Sequence, residues 1–444
     1  MSELFDPVLA AGAVHAEVGD TAWLCGMLDF EAALAAAEAD AGLIERAHAE
    51  RISAACRPEH YDPAALGRGA TGIGNPAAPL VRALTERVGG EAARHVHRGA
   101  TSQDVLDTAA MLVSKRALVP LLADLGACAE TAARLAREHT GTVQVGRTLL
   151  QHALPVTFGL TAAGWLSALN AAADRLRALR LPAQLGGASG TLASLGEHGP
   201  AVLAALSHRL GLAEPVLPWH TDRTPVADLA GALGEAAGVV ASIARDIVLL
   251  AQTEVGELHE QGPPGSGGSS TMPHKRNPVA AVSALACAKR APGLVADLLA
   301  AMEQEHQRAA GAWHAEWRPF TELWLAAGSA AHWLRTSLDR LQVDVVAMQA
   351  NLERSGGVLL AERITTELAP ETGRLAAHDA VTACCHRALA GEGTLAELLA
   401  ADPLVGARLS AERIAQLLDP ADYLGSAGVF VERALAAHKN ARKE

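Results

Sequence analysis

The chain has 444 residues and a formal net charge of −12, with 37 lysines and arginines against 49 aspartates and glutamates. That acidic balance excludes binding to nucleic acid or to an anionic membrane through the overall charge, so any bound anion needs a local group of cations. Hydrophobic residues make up 50% of the chain but aromatic residues only 3%. A core of alanine, leucine and valine favours closely packed helices, so we predict an all-α protein.

The N-terminus and the cysteines point to the cell compartment. The first ten residues, MSELFDPVLA, have no basic region followed by an apolar run, which is the pattern of a signal peptide. A membrane span needs about 18–20 uncharged apolar residues, and we expect no segment of this chain to provide them. The six cysteines form no C-x-x-C pair and have no zinc-like spacing. We expect a soluble cytoplasmic protein with reduced thiols and no metal.

Turn signals divide the chain unevenly and predict three helical domains, at residues 1–100, 101–345 and 346–444. The first is interrupted by segments such as RPEHYDP (57–63), and the last by segments such as ADPLVG (401–406). Both should therefore contain short helices. The middle domain has few interruptions, so we predict a bundle of long helices there.

Four long helices are predicted in the middle domain. They are placed at 103–138 with a kink at Pro120, at 155–180 opened by Pro155, at about 226–262, and from Pro278 with a kink near Pro292. The first follows hydroxyl residues that can cap a helix, and the third follows Thr224-Pro225, a cap with proline at the first helical position.

The third of these helices carries the clearest periodicity. Its apolar positions alternate in steps of four and three at Leu229, Leu233, Ala236, Val240, Ile243, Ile247 and Leu250. Such a seam indicates shallow packing in a bundle. With no proline before 262, the helix would span about 35 residues, or roughly 50 Å. This length predicts an extended bundle that buries the seam against neighbouring subunits. A solitary coiled-coil arm is disfavoured because the flanking positions are mostly small and apolar.

The segment GSGGSSTMPHKRNP (265–278) combines backbone freedom, hydroxyls and cations. Its glycines can present successive N–H groups to an anion, and Lys275 adds a fixed positive charge. We expect the positive end of the helix that begins at Pro278 to point at the same anion. Ser269 and Ser270 supply hydroxyls that such surroundings could ionise. The alternative is a solvated linker, and the glycines are not followed by the G-K-[ST] of a phosphate-binding loop.

A second polar segment, HRGATSQDVLDTA, opens at His97. Thr101, Ser102 and Gln103 follow where a helix is predicted to begin. Capping explains one hydroxyl but not the whole group, so we predict a functional role.

A third segment, GRTLLQHALPVTFG, begins at Gly146. Arg147, Thr148, Gln151 and His152 crowd the predicted entry to an apolar helix. A capped helix with an exposed arginine is the alternative.

Together the three segments resemble the signature regions of the aspartase/fumarase superfamily, which includes adenylosuccinate lyase and argininosuccinate lyase. Its G-S-S-x-M-P-x-K-x-N-P motif matches 268–278 at every fixed position, and the resemblance extends over nearly the whole chain in the same order. It implies three helical domains and a homotetramer built on a central helical bundle. It also implies active sites assembled from three subunits, with a small polycarboxylate substrate and no metal or organic cofactor.

The resemblance also implies roles for individual residues. Ser269 would exchange a proton on the carbon α to a carboxylate, while Lys275 and Asn277 would support the developing anion. The residues predicted to bind substrate are His97, Thr101, Ser102, Gln103, Arg147, Thr148, Gln151, Ser270, Thr271 and Met272.

One departure from the superfamily pattern concerns the leaving group. Fumarase-like and adenylosuccinate-lyase-like members carry T-H-x-Q in the third segment, where the histidine serves or assists as the acid for the departing group. This chain has Leu149 at that position. Leucine cannot donate a proton, and an acid catalyst contributes roughly 10²–10⁴ in rate for a poor leaving group. A carboxylate, with a pKa near ~4, needs no such help.

The stretches 19–44, 184–196 (QLGGASGTLASLG) and 313–317 (WHAEW) are similar to the bacterial 3-carboxy-cis,cis-muconate cycloisomerase family. This resemblance implies the addition of a carboxylate across a double bond to give a γ-lactone of the protocatechuate branch of the β-ketoadipate pathway. A nitrosuccinate lyase fits the missing histidine equally well. Adenylosuccinate lyase is a more distant alternative, and a non-catalytic structural protein on the same fold is disfavoured by the intact serine motif.

Overall fold

The computed structural model describes residues 3–262, 267–268, 272 and 275–441. The chain divides into two compact units. Unit 1 comprises Met1–Leu125, Ala171–Ser242 and Ser283–Leu334, and unit 2 comprises Gly126–Asn170, Ile243–Val282 and Arg335–Glu444. The three-domain boundaries expected from the turn signals stay a prediction.

The predicted all-α class is confirmed. Through the first 250 residues the helices are α1 Asp6–Leu9, α2 Val14–Val18, α3 Asp20–Asp40, α4 Arg46–Ala55, α5 Pro63–Ala70, α6 Ala77–Val88, α7 Ser102–Glu138, α8 Phe158–Arg177, α9 Gly199–Leu210 and α10 Thr224–Leu250. Those that follow are α11 Val279–Ala288, α12 Ala291–Ala300, α13 Ala312–Asp339, α14 Val345–Glu353, α15 Ala361–Thr372, α16 Arg374–Leu389, α17 Leu395–Ala401, α18 Pro403–Gly406, α19 Ala411–Leu417 and α20 Ala427–Ala441.

Two antiparallel strand pairs interrupt the helices. They are β1 Val143–Thr148 with β2 Gln151–Thr157, and β3 Leu258–Glu260 with β4 Leu341–Val343. The helix predicted to open at Pro155 is therefore wrong at its start, because Pro155 lies in β2 opposite Val145 and the helix begins at Phe158. The β-branched valines of β1 favour an extended backbone, and their pairing with β2 outweighs the local helix signal of the proline.

The heptad seam on α10 is confirmed, since all seven of its apolar residues are buried. They are buried within one chain, so the seam does not require a neighbouring subunit as we had expected. The helix is also shorter than predicted, because it ends at Leu250 rather than near 262. A turn follows in which Gly256 has φ 63° and the Glu257 N–H donates to the Leu250 carbonyl. Glycine adopts this left-handed backbone at little cost, and the chain then enters β3.

The helix expected from Pro278 is present as α11 and α12, with a break before Pro292 as predicted. We expected no segment with the length and composition of a membrane span, but Val279–Ala300 has both. Of its most apolar stretch, 39% is buried. Apolar helices in the core of a protein share this length and composition. Here Lys289 and Arg290 stand at the break between the two helices.

Helix α3 lies in the core of unit 1 and packs closely against α7. A Cβ added at Gly26 would lie 3.2 Å from the Cα and Cβ of Ala109, so the two backbones approach closely there. Most of α3 is buried, including two carboxyl side chains, Glu31 and Glu38. Charged side chains are rarely fully buried without partners, so these two indicate a role beyond packing.

Candidate active site

In unit 1, Asp104 organises the start of α7. Its carboxylate accepts hydrogen bonds from the backbone N–H groups of Thr101 (2.9 Å), Gly186 (3.0 Å) and Gly187 (3.0 Å), and His220 Nε2 lies 2.6 Å away. The carboxylate is fully buried and joins the helix start to two distant loops. The hydroxyl side chains of Thr101 and Ser102 were expected to cap the helix. Instead, Asp104 in the first turn accepts the backbone N–H of Thr101.

A second buried carboxylate, Asp107, lies one helical turn further along α7. It accepts hydrogen bonds from Arg223 at 2.9 and 3.1 Å, and Arg223 also donates to Glu316 at 2.6 and 2.9 Å. Burial alone would lower the pKa of the Arg223 guanidinium, but Asp107 and Glu316 outweigh it and raise that pKa. The group is therefore a permanent cation held between two acids.

Gln103 belongs to this buried network. Its Nε2 donates to the His220 carbonyl at 2.8 Å and to Asp107 at 3.1 Å, and its Oε1 accepts from Arg308 at 3.3 Å. The side chain is buried, so its amide serves the network. Its predicted contact with substrate stays a prediction.

His97, just before α7, is paired with Glu31 of α3. His97 Nδ1 lies 2.7 Å from Glu31 Oε1, and 17% of the His97 side chain remains exposed. Burial alone would lower the pKa of the His97 imidazole, but the charge and hydrogen bond of Glu31 outweigh it and raise that pKa above its usual value. The backbone of His97 has φ 58°, which is uncommon for a residue other than glycine and typical of functional positions.

Beside this pair lies Glu38, one of the two buried carboxyls of α3. Both of its carboxyl oxygens are buried and have no hydrogen-bond partner among the residues that the structure describes. Burial raises the pKa of the Glu38 carboxyl to about 8, opposed by Arg98 and His97 and reinforced by Glu31. The neighbouring Arg98 donates to the Leu43 carbonyl at 2.9 Å. Glu38 is therefore mostly protonated at pH 7, and Glu31 is the carboxyl group that bonds to His97.

In unit 2, Arg147 lies in β1 and forms a two-pronged ion pair with Glu257. The distances are 2.6 Å from Nη2 to Oε1 and 3.0 Å from Nη1 to Oε2. Glu257 is fully buried and also accepts from Gln144 at 2.7 Å and from Asn351 at 2.6 Å. The guanidinium predicted to bind a substrate carboxylate is thus already held by a protein carboxylate. Its further role toward substrate stays a prediction.

The tip of the β1–β2 hairpin is the dipeptide Leu149-Leu150. Both residues have positive φ, 51° and 63°, and their side chains are 97% and 72% exposed. Two-residue hairpin turns require this backbone and favour glycine and asparagine, so two leucines here are strained. Thr148 and Gln151 flank them as the last pair of the ladder and are exposed. The segment was predicted to be a helix entry, and its site residues stand instead on a hairpin.

In the described part of the glycine-serine segment, two hydrogen bonds join Asn277 to Gly267. The backbone N–H of Asn277 (2.9 Å) and its Nδ2 (3.1 Å) both donate to the Gly267 carbonyl. Lys275 is exposed, and its backbone N–H donates to the Met272 carbonyl at 3.1 Å. The predicted residues Ser269, Ser270 and Thr271 lie outside the described residues.

The anion expected at the start of the following helix is supplied by the protein. Glu260 accepts the N–H groups of Ala280 (3.0 Å) and Ala281 (2.9 Å) at the start of α11, and Ser337 donates to it at 2.6 Å. The prediction that this helix end points at substrate is therefore wrong, because a carboxylate from β3 already satisfies it.

The predicted site residues fall into two groups. His97, Thr101, Ser102 and Gln103 belong to unit 1, whereas Arg147, Thr148, Gln151, Met272, Lys275 and Asn277 belong to unit 2. Three important residues were missed from the sequence, namely the buried carboxylates Glu31, Asp104 and Glu257. The available signal was the presence of acidic residues within a largely apolar run, as in MLDFEAALAAAEAD. In the described part of the chain, no three His, Cys, Asp or Glu residues are grouped to hold a metal.

Comparison with known protein families assigns the chain to a class of enzymes. The family model described as Lyase matches residues 11–293, and the model described as Adenylosuccinate lyase C-terminus matches 357–434. The chain belongs to this lyase family, and the superfamily predicted from the three motifs is confirmed.

Relatives within the family narrow the assignment. The chain is 48% identical over 443 residues to 3-carboxy-cis,cis-muconate cycloisomerase from Pseudomonas aeruginosa, covering 98% of this chain and 96% of the relative. It is 45% identical to nitrosuccinate lyase from Streptomyces davaonensis, covering 98% and 94% respectively. The crystal structure of 3-carboxy-cis,cis-muconate lactonizing enzyme from Pseudomonas putida superimposes with a TM-score of 0.94 at 46% identity, covering 99% of each chain. The similarity to the cycloisomerase branch inferred from the sequence is therefore confirmed.

Proposed function

We propose that the protein is a cycloisomerase that converts 3-carboxy-cis,cis-muconate into 4-carboxymuconolactone. One carboxylate oxygen of the substrate would form a C–O bond to a double-bonded carbon, and one proton would form a C–H bond at the neighbouring carbon α to another carboxylate. The observation that carries this proposal is the 48% identity, over 98% of the chain, to a cycloisomerase of that name. The lactone would belong to the protocatechuate branch of aromatic catabolism.

The mechanism assigns the proton to Ser269 and the charge to its neighbours. Ser269 would deliver the α-proton when the lactone forms and remove it in the reverse direction. Lys275, Asn277 and the N–H groups of the loop would stabilise the intermediate oxyanion, a form of preorganised stabilisation that is often the largest catalytic contribution. The two hydrogen bonds from Asn277 to the Gly267 carbonyl support this assignment, because they hold the two ends of the loop together.

The hairpin supports a leaving group that needs no acid. Leu149 stands at the exposed tip, at the position where fumarase-like members have a histidine, and it cannot protonate anything. A carboxylate is a stable anion at neutral pH, so both the addition and its reversal proceed without a proton on that oxygen. This chemistry uses the protein's own side chains and requires no cofactor.

A nitrosuccinate lyase is the second candidate, favoured by the 45% identity to an enzyme of that name. Nitrite is also a stable anion, so Leu149 fits both. The deciding experiment incubates the purified protein with each compound, following the diene by ultraviolet absorbance and nitrite by a colour reaction. We expect rapid loss of the diene and no nitrite. Nitrite release at a comparable kcat/KM would instead assign the second function.

We also propose a homotetramer in the cytoplasm. Exposed large apolar side chains support contacts between subunits. Val119 on α7 is 70% exposed, and Leu149 on the hairpin is 97% exposed. Native mass spectrometry should give a mass of four chains. A monomer that is fully active would contradict active sites shared between subunits.

A further inference from the structure

Two glutamates of α3 face the histidine that precedes α7. Glu31 and Glu38 are seven residues apart, which places them on one face of the helix two turns from each other. Both are buried within unit 1 among apolar side chains. Packing does not require either carboxyl, since an apolar side chain of similar volume would fill the same space without losing hydration.

The geometry gives Glu31 a single bonded neighbour. Its Oε1 lies 2.7 Å from His97 Nδ1, while its Oε2 is buried and has no hydrogen-bond partner in the described part of the chain. His97 uses only this one nitrogen for hydrogen bonding within the described residues, and its side chain keeps 17% of its exposure. The second ring nitrogen, Nε2, is thus available to a ligand, and the Nδ1 contact determines which way it points.

We propose that Glu31 is a positioning residue that holds the His97 imidazolium with Nε2–H directed at a carboxylate of the substrate. This inference rests on the proposed function, because it takes His97 as a substrate-binding residue. The arrangement is a buried carboxylate on one side of the ring and an anionic ligand on the other. Each would accept one charge-assisted hydrogen bond from the same cation.

The charges around His97 favour this arrangement. Glu31, Asp104 and Glu38 are the acidic groups that act on it. Asp104 already accepts three backbone N–H groups and contacts His220, and burial raises the pKa of Glu38 to about 8, so that carboxyl is mostly protonated at pH 7. Among the described residues, Glu31 is therefore the carboxyl group bonded directly to the ring. Its removal should lower the pKa of His97.

The expected kinetic consequence is a change in binding. A contact to a carboxylate that does not react is made equally in the ground state and the transition state, so its loss raises KM and leaves kcat nearly unchanged. Loss of a hydrogen bond to a charged group should raise KM about tenfold. Glu31→Asp keeps the charge at a shorter reach and should recover part of that loss.

The test titrates His97 directly and does not depend on turnover. Diethyl pyrocarbonate reacts with neutral imidazole, so its rate at His97, measured against pH by peptide mass spectrometry, reports the pKa of that ring. The full-length protein is compared with Glu31→Gln, Glu31→Asp and the control Asp29→Asn. Asp29 lies on the same helix but pairs with Arg116 at 2.5 Å and does not bond His97. The exposed His60 serves as an internal reference in each digest.

We expect the His97 midpoint to lie above its usual value in the wild type and in Asp29→Asn, and to fall in Glu31→Gln together with the rise in KM. An unchanged midpoint in Glu31→Gln overturns the inference. If that variant does not fold, a wild-type midpoint at or below the usual value overturns it as well. A midpoint that shifts as expected in a protein that does not consume 3-carboxy-cis,cis-muconate would contradict the proposed function and leave only the pairing of Glu31 with His97 supported.

Discussion

The carboxylate of Glu257 accepts two hydrogen bonds, of 2.6 and 3.0 Å, from the guanidinium of Arg147, near the end of β1 that leads to the hairpin tip. Because Glu257 is fully buried and bound by two further amides, it is a fixed anchor for the strand. The flanking Thr148 and Gln151 project from the same short ladder. The hairpin therefore owes its orientation to a carboxylate more than 100 residues away in the sequence.

Glu257→Gln should loosen this hairpin. Breaking a buried pair on one side leaves the Arg147 charge without its partner, so we expect a loss of about 3 kcal/mol in the free energy of unfolding. The KM should also rise, because three predicted substrate-binding residues, Arg147, Thr148 and Gln151, lie on the hairpin. Urea unfolding and steady-state kinetics measure both. The control is Glu254→Gln, an exposed glutamate in the preceding turn, and equal effects of the two variants would contradict the anchor.

The buried carboxyl of Glu38 should make stability depend on pH. Between its ordinary pKa near 4.5 and its folded pKa of about 8, the folded state holds a proton that the unfolded state has lost. The unfolding free energy therefore falls as pH rises across that window, by up to about 1.4 kcal/mol per pH unit. Glu38→Gln should lack this slope. The unfolding free energy of the variant should therefore rise relative to that of the wild type between pH 6 and pH 8.

The measurement for Glu38 is the midpoint of urea unfolding at pH 6, 7 and 8. Glu50→Gln, which alters an exposed carboxyl on α4, should follow the wild type at every pH. Parallel pH profiles for Glu38→Gln and the wild type would show that Glu38 is ionised in the folded protein.

Gly267→Ala should disrupt the base of the glycine-serine segment. Gly267 has φ 74°, and a Cβ there would lie 2.8 Å from the Asn277 carbonyl oxygen. Alanine is strained in that conformation, so the two bonds from Asn277 to Gly267 should weaken and kcat should fall about tenfold or more. Gly268→Ala is the matched control, because a Cβ there meets no atom of the described residues within 4 Å. A larger loss in the control would contradict this account.

Leu149→His should not accelerate the reaction. The variant restores the histidine of fumarase-like members at the exposed hairpin tip, but a departing carboxylate has no need of a proton. We expect kcat within about threefold of the wild type, because acid catalysis contributes only where the leaving group is poor. Steady-state turnover measures it, and a gain of about a hundredfold would refute the leaving-group argument.

The features predicted well were those encoded in local periodicity. The seam of α10 and the long α7 follow from spacings within one helix, and the serine motif was recognised from consecutive residues. The β1–β2 hairpin was missed because a proline preceding an apolar run is also the sign of a helix start. Its pairing depends on the fit of two strands, where a bulge lies between Val145 and Arg147.

The partners of the buried carboxylates could not be predicted because they are remote in the sequence. Glu31 contacts His97 across 66 positions, and Arg147 contacts Glu257 across 110. The start of α11 gave a wrong expectation for a related reason. Its anion comes from Glu260, which lies 20 residues before Ala280. The first N–H groups of a helix need hydrogen-bond acceptors, and the tertiary fold determines which group provides them.

The most direct test follows a single hydrogen. 3-Carboxy-cis,cis-muconate is converted in D₂O by the wild type and by Ser269→Ala, and the product is examined by proton NMR. We predict one deuterium on the carbon α to the side-chain carboxylate of the lactone for the wild type, and a rate reduced by orders of magnitude in the folded variant. A Ser269→Ala enzyme that retains more than about a tenth of wild-type activity, or a lactone formed without deuterium at that carbon, would contradict proton delivery by Ser269.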